Sequence, residues 1–264
     1  MTGLTVAIEG VGVLGPGLPD WPASAAVLAG RASYQPLRTV LPAPSVLPPA
    51  ERRRAGRVIK LALAIGAEAV AHAGRDPRSL ASVFTSSGGD GDNCHEMCVA
   101  LADSERLISP TRFHNSVHNA AAGYWGIGYG CTEASVTLCA YDASFAAGLL
   151  EAATQVTQQS RPVLLLAYDS DYPPPLQNHR RIADAFGLSL LLAPAGAVAA
   201  LATLRLTLSQ ETASSLARPE LEALRLSCPA ARGLPLLEHL AQSRSGRVIL
   251  DYLDSVRLAV EIVA

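Results

Sequence analysis

Charge is scarce in this sequence. Charged residues make up 17% of the 264 positions, and 21 Lys and Arg against 23 Asp and Glu leave a formal net charge of −2. Outside Glu51-Arg52-Arg53-Arg54 there is no strong basic cluster. Phosphate backbones are held by clustered Lys and Arg, so DNA and RNA are not expected as ligands. That arginine run reads as a solvated first helical turn, with docking of an acidic protein as the sharper alternative. No positively charged leader precedes an apolar run, and no stretch of about eighteen residues is free of polar interruption. The expectation is a cytoplasmic protein with no membrane span. Cysteine is sparse and irregular: Cys94, Cys98, Cys131, Cys139 and Cys228 form an odd set, so reduced thiols are expected rather than a disulfide framework. Cys94, His95 and Cys98 have no second ligand pair of comparable spacing, and zinc sites usually need four convergent ligands, so a structural helix and no metal are expected. The glycine-rich run Ser86 to Asn93 lacks the lysine of a P-loop and the spacing of a dinucleotide fingerprint. It reads as a strand-to-helix turn, and no cofactor is expected.

What is present is apolar. Hydrophobic residues reach 49% and the mean hydropathy is +0.24, which suggests a large partner surface. The length suits one domain with a substantial core. Leu4 to Leu14 reads as a buried first strand and Trp21 to Gly30 as a short helix closed by glycine. Proline-rich Leu37 to Pro49 is a loop. Ala50 to Gly74 reads as one long helix with Val58, Leu61, Ile65, Ala69 and Val70 as its apolar stripe. Leu80 to Ser87 and Val163 to Tyr168 are strands, and Leu188 to Ala193 with Val198 to Leu208 reads as a hairpin. Residues 209 to 264 hold a polar linker, a helix near Leu234 to Gln242 and β-rich runs at Arg247 to Leu253 and Val256 to Val263.

The most informative stretch is Ser135 to Gln158, which reads strand, turn, helix. Val136 and Thr137 favour extended structure, Asp142 or Ser144 can supply a cap, and Phe145, Leu149, Ala152, Ala153 and Val156 recur on one helix face. Ala146, Ala147 and Gly148 allow neighbouring elements to approach closely. Such an elbow is where nucleophiles sit, because the turn lifts one side chain clear and the helix N-terminus favours a thiolate or oxyanion.

The run LCAYDASFAAGLLEA resembles the nucleophile elbow of the β-ketoacyl synthases, in which a cysteine precedes a glycine by eight positions. Anchoring on Gly148 places Ala140 at the nucleophile and Cys139 one residue earlier; sliding the alignment to Cys139 needs an extra residue and turns a different side chain to the apex. The opening LTVAIEGVGVLGP resembles the family's first strand. Ser109 to Trp125, SPTRFHNSVHNAAAGYW, resembles more narrowly the ketosynthase-like, chain-length-factor-type subunits of aryl polyene and xanthomonadin-type pigment clusters. The family's catalytic histidines belong to H-G-T-G-T and G-G-x-N contexts, and neither motif occurs here.

The resemblance implies an α/β fold: half of a thiolase-like ketosynthase fold, a mixed sheet flanked by helices, with residues 209 to 264 a divergent helix-plus-strands tail on a single domain of residues 1 to 264. It implies no catalytic residue, a heterodimer with an active β-ketoacyl synthase, and acyl groups arriving on the phosphopantetheine of an acyl carrier protein. The family pairs the strand before the elbow, here Ala134 to Cys139, with its counterpart across a twofold axis. Interface or acyl-tunnel candidates are therefore Phe113, His114, Asn115, His118, Asn119, Tyr124, Trp125, Val136, Leu138, Cys139, Ala140 and Phe145. The aromatics among them read equally as core packing, and His114 and His118 as structural imidazoles hydrogen-bonded within a loop or interface. Two alternatives stay open: a small acyltransferase or hydrolase using Cys139 with His114 or His118, and a homodimeric scaffold.

Overall fold

The computed structural model describes residues 3–264. The chain runs through β1 (Leu4–Leu14), α1 (Trp21–Leu28), α2 (Pro49–Arg54), α3 (Arg57–Ala73) and β2 (Ala81–Thr85). Then come α4 (Gly91–Ala102), α5 (Pro110–His114), α6 (Ala120–Tyr129), β3 (Ser135–Leu138), α7 (Ser144–Gln159) and β4 (Val163–Asp169). The chain closes with α8 (Leu176–His179), β5 (Phe186–Pro194), β6 (Ala202–Ser209), α9 (Pro219–Ser227), α10 (Leu234–Ala241), β7 (Gly246–Leu250) and β8 (Arg257–Val263).

These strands form one eight-stranded mixed sheet in the order β3-β2-β4-β5-β1-β6-β8-β7. β2 is parallel to both β3 and β4, and the remaining pairs are antiparallel. Strands β4 and β5 read as nearly continuous apolar runs because both faces of the sheet are covered. On one face α7, α1, α9 and α10 bury Phe145, Leu149, Leu221 and Leu237; on the other α3 and α6 bury Ile65, Tyr124 and Trp125. Helix α3 lies close on β1 because Gly10 and Gly12 present no side chain to it: a Cβ on Gly12 would stand 2.1 Å from the Ile65 carbonyl oxygen. Gly12→Ala is expected to cost about 3 kcal/mol, the upper end for overpacking, since backbone rather than a flexible side chain must yield. Thermal unfolding measures it. No helix of the described residues is long and apolar enough to cross a membrane.

Several readings from sequence are corrected. The helix expected over Ala50 to Gly74 is broken at Ala55 and Gly56 into α2 and α3, with Gly56 extended at the start of α3. Ala55 and Gly56 both take extended backbone angles there, and a Cβ on Gly56 would stand 2.9 Å from Asp90 Oδ2. β5 and β6 are not a hairpin: β1 lies between them and pairs antiparallel with both. The stretch read as a polar linker contains α9, with Pro219 at its first turn and Leu221 and Leu224 on its buried side. The segment from residue 209 continues the sheet through β8 beside β6, and α10 packs on the same face as α7. The elbow helix has no side-chain cap from Asp142 or Ser144; a 3-10 turn, Tyr141–Ala143, leads into it. Of the small residues at its start, Ala146 and Gly148 are buried and Ala147 only half-buried. The close approach is at Gly148, where a Cβ would meet Thr85 Cγ2 at 2.7 Å.

Candidate functional site

β3 is the terminal strand of the sheet and pairs only with β2, so its outer edge is open. The chain leaves it through Cys139 and Ala140 and turns at Tyr141, whose φ of 51° lies in the left-handed region that side chains with a Cβ rarely adopt. Ser144, fully buried, holds the turn: the Ala140 N–H donates to its Oγ at 3.0 Å, and that hydroxyl donates to the Tyr141 carbonyl at 2.7 Å. Thr85 on β2 donates to the Ser144 carbonyl at 2.8 Å, tying the elbow to the neighbouring strand. The backbone device that presents a nucleophile is built, but its strained residue is Tyr141. That ring is covered by the Arg180 guanidinium, 3.7 Å from the centroid, and Arg180 also pairs with Asp142 at 2.7 Å.

The glycine-rich run forms the other wall. Ser86 and Ser87 are fixed by Asp169 at the end of β4: its Oδ1 accepts from Ser86 Oγ, Ser87 N and Ser87 Oγ, and its Oδ2 from the Ala230 N–H at 2.9 Å. Burial pushes the Asp169 carboxyl up to about 6 despite those four donors. The nearby Cys228 thiol is pushed up by burial first and by the Asp169 charge second. Tyr172, three residues beyond the end of β4, lies on the run itself: a Cβ on Gly88 would stand 2.1 Å from its Oη and one on Gly91 2.1 Å from its Cδ1. The glycines therefore make room for a tyrosine, as a turn and not a phosphate cradle. Because the folded carboxyl of Asp169 titrates above its unfolded value, its contribution to stability is full below about pH 4 and is lost as pH rises through about 6. The expected span is on the order of 3 kcal/mol. Unfolding free energies between pH 4 and 8 should carry this term in the native protein and lack it in Asp169→Asn.

The sequence candidates separate into three groups. Tyr124, Trp125 and Phe145 are at most 2% exposed and belong to this chain's own cores, so as side chains they are not docking anchors. Their apolar rings fill the space between helices and sheet: a Cβ on Gly66 would meet Trp125 at 2.6 Å. Asn115 is also buried and acts as a clamp, donating to the Arg54 carbonyl at 2.8 Å and accepting from the Tyr124 hydroxyl at 3.1 Å. Val136, Leu138 and Ala140 are half-buried along the open edge. Phe113, His114, His118, Asn119 and Cys139 are exposed. His114 and His118 do not share a helix turn, because α5 ends at His114. Neither imidazole forms a hydrogen bond among the described residues, which departs from the structural role expected of them within the chain; His114 lies edge-on to Tyr124. The Cys139 thiol donates to the Ser87 carbonyl at 3.1 Å, and no histidine bonds to it.

Sequence reasoning did not single out the large apolar side chains that the fold leaves exposed. Val99, Leu101, Leu107, Val117, Ile127 and Tyr141 are each about half exposed or more. A cleft of about 320 Å³ opens between α4, the glycine-rich turn and the start of α6, lined by Cys94, Met97, Leu101, Val117, His118 and Tyr168. Cys94 and Cys98 lie on a helix as expected. Among the described residues no group of three or more His, Cys, Asp or Glu is placed to hold a metal ion. Arg52 is not merely solvated: its guanidinium donates to the Ser45 and Leu47 carbonyls and pins the proline-rich segment, while Arg54 pairs with Glu51.

Comparison with known proteins bears on this geometry. The family model of the β-ketoacyl synthase N-terminal domain matches residues 24–250. No curated protein matches the chain. Among solved structures, the ketosynthase (ApeO) in complex with its chain length factor (ApeC) from Xenorhabdus doucetiae aligns with a TM-score of 0.75 at 22% identity, over 98% of this chain and 99% of the other. The ishigamide ketosynthase/chain length factor aligns at 0.72 and 15% identity over 98% and 99%. A type II polyketide synthase acyl-carrier protein in complex with its ketosynthase bound to the hexaketide, AntDE:AntF, aligns at 0.76 and 12% identity over the whole of both chains. At these identities the likeness establishes the fold.

Proposed function

We propose, from the premise that this chain belongs to the β-ketoacyl synthase N-terminal domain family, that it is a non-catalytic partner of an active ketosynthase and acts as its chain-length factor. The observation that carries this reading is an elbow kept in backbone form with no nucleophile on it. Ala140 stands at the position the family gives to cysteine, and the adjoining Tyr141 is covered by Arg180. Thiolate attack needs a nucleophile, a base and donors for the developing charge in one place. Here Cys139, the thiol beside the elbow, donates to a carbonyl and has no histidine bonded to it, which weighs against the acyltransferase or hydrolase alternative.

What remains is a surface suited to pairing. The open edge of β3 offers unpaired backbone groups and is an aggregation hazard unless a partner completes the sheet, and exposed apolar side chains such as Phe113 and Val117 add surface that a partner can cover. The likeness to ketosynthase and chain-length-factor pairs supports a heterodimer. The likeness to a ketosynthase in complex with an acyl-carrier protein supports substrates that arrive on an acyl carrier protein, and the polyene context follows from the resemblance carried by Ser109 to Trp125. The carrier would find exposed Arg53 on α2, since Arg52 and Arg54 have partners within the chain. Reconstitution with a ketosynthase from the same source tests the reading. Phe113→Ala and Leu138→Ala should each leave a complex that elutes as a heterodimer on gel filtration and change the length of the chain released. Unchanged length from both intact complexes would remove the length-setting role and leave a stabilising partner.

A further inference from the structure

A second cleft, of about 480 Å³, lies between the proline-rich segment and α3 and shares no lining residue with the cleft beside α4. Its walls are apolar: Val40, Pro42 and Val46 on the proline-rich side, Leu63 and Ala64 on α3, and Leu14 from β1. Small-molecule sites are commonly about 300 to 1,000 Å³, mostly apolar, with a few polar groups that fix orientation. The carboxylates that line this cleft each accept backbone N–H groups. Glu68 takes the Trp21 N–H at Oε1 and the Val13 N–H at Oε2, and the Asp20 carboxylate takes the Ala23 N–H.

The donors are not engaged. Lys60, the only lysine of the sequence, is half-buried on α3 and lines the cleft, and its ammonium forms no hydrogen bond or ion pair among the described residues. Glu68 lies eight residues along the same helix, roughly 12 Å away, and cannot serve as its counter-ion. The Tyr129 hydroxyl, also in the lining, has no partner among the described residues, and burial pushes its phenol up, so it remains a donor. A partly desolvated cation without a counter-ion carries a cost that an incoming anion relieves, and a charge-assisted hydrogen bond is about twice as strong as a neutral one.

We propose that this cleft binds a small organic carboxylic acid, its apolar body along Pro42, Val46 and Leu63 and its carboxylate accepting hydrogen bonds from the Lys60 ammonium and the Tyr129 hydroxyl. One cation suits one negative charge, which favours a monocarboxylate over a phosphate dianion. This inference does not depend on the partner reading, since the cleft involves neither the elbow nor the open edge. A single lysine makes the site directly observable. Reductive methylation with ¹³C-formaldehyde labels Lys60 and the α-amino group alone and keeps the charge. Titration with decanoate should move the Lys60 methyl signal saturably, and calorimetry should give decanol an affinity at least about tenfold weaker. Lys60→Met should lower decanoate affinity by a similar factor, and Tyr129→Phe by a smaller one, with melting temperatures near that of the native protein. Absence of a saturable shift up to millimolar decanoate, equal binding of decanol, or full affinity in Lys60→Met would each overturn the assignment.

Discussion

Phe145→Ala is expected to lower the stability of this protein by about 3 to 5 kcal/mol with no partner present. The ring is wholly buried at the start of α7. Its surroundings come from distant parts of the chain: a Cβ on Gly233 would stand 2.6 Å from Phe145 Cζ and 2.7 Å from Leu188 Cδ2, so the ring is wedged between α7, β5 and the turn that precedes α10. Truncation leaves a cavity that three elements must close together, and they are held apart by the sheet. Domains are commonly stable by about 5 to 15 kcal/mol, so the loss is a large fraction of the total. Denaturant unfolding should give a lower midpoint with the slope unchanged. A loss under about 1 kcal/mol would move Phe145 out of the core and return it to the surface role that its position in the sequence suggests.

The converse holds for Phe113. It is 66% exposed on α5, and Phe113→Asp should leave the melting temperature of the isolated chain nearly unchanged. Its effect should fall on assembly. An aromatic anchor at the centre of an interface is worth about 2 kcal/mol or more, and a carboxylate in its place also buries an unpaired charge. Affinity for the ketosynthase should therefore drop by about thirtyfold or more. Titration calorimetry on the two purified subunits reads it directly. An unchanged affinity would take α5 out of the interface and confine pairing to β3 itself.

How far the sequence carried depended on the range of the interactions involved. The elbow was legible because its signals are local: β-branched residues set β3, and the spacing of Phe145, Leu149, Ala152 and Val156 set the buried face of α7. The apolar stripe of α3 was legible for the same reason. The break at Ala55 and Gly56 was not, since a single glycine inside a helical pattern does not by itself say whether the helix continues through it. Nor was the separation of β5 from β6, because two neighbouring β-rich runs look like a hairpin unless the long-range pairing of β1 is known. α9 was hidden by its shortness and by the polar residues that precede it, although Leu221 and Leu224 are spaced for one helix face. The site suffered most. Periodicity alone does not separate a core aromatic from an interfacial one, so Tyr124 and Trp125 were grouped with Phe113. Asp169, Tyr172 and Arg180, which shape the elbow's surroundings, act across the sheet and leave no local pattern.

The most direct test of the account is native mass spectrometry of this chain co-expressed with its ketosynthase, recorded after incubation with acyl and malonyl carrier protein. The account predicts a one-to-one heterodimer in which, after dissociation, the acyl mass is found on the ketosynthase chain alone. Failure to form the heterodimer, or an acyl adduct on Cys139 of this chain, would contradict it.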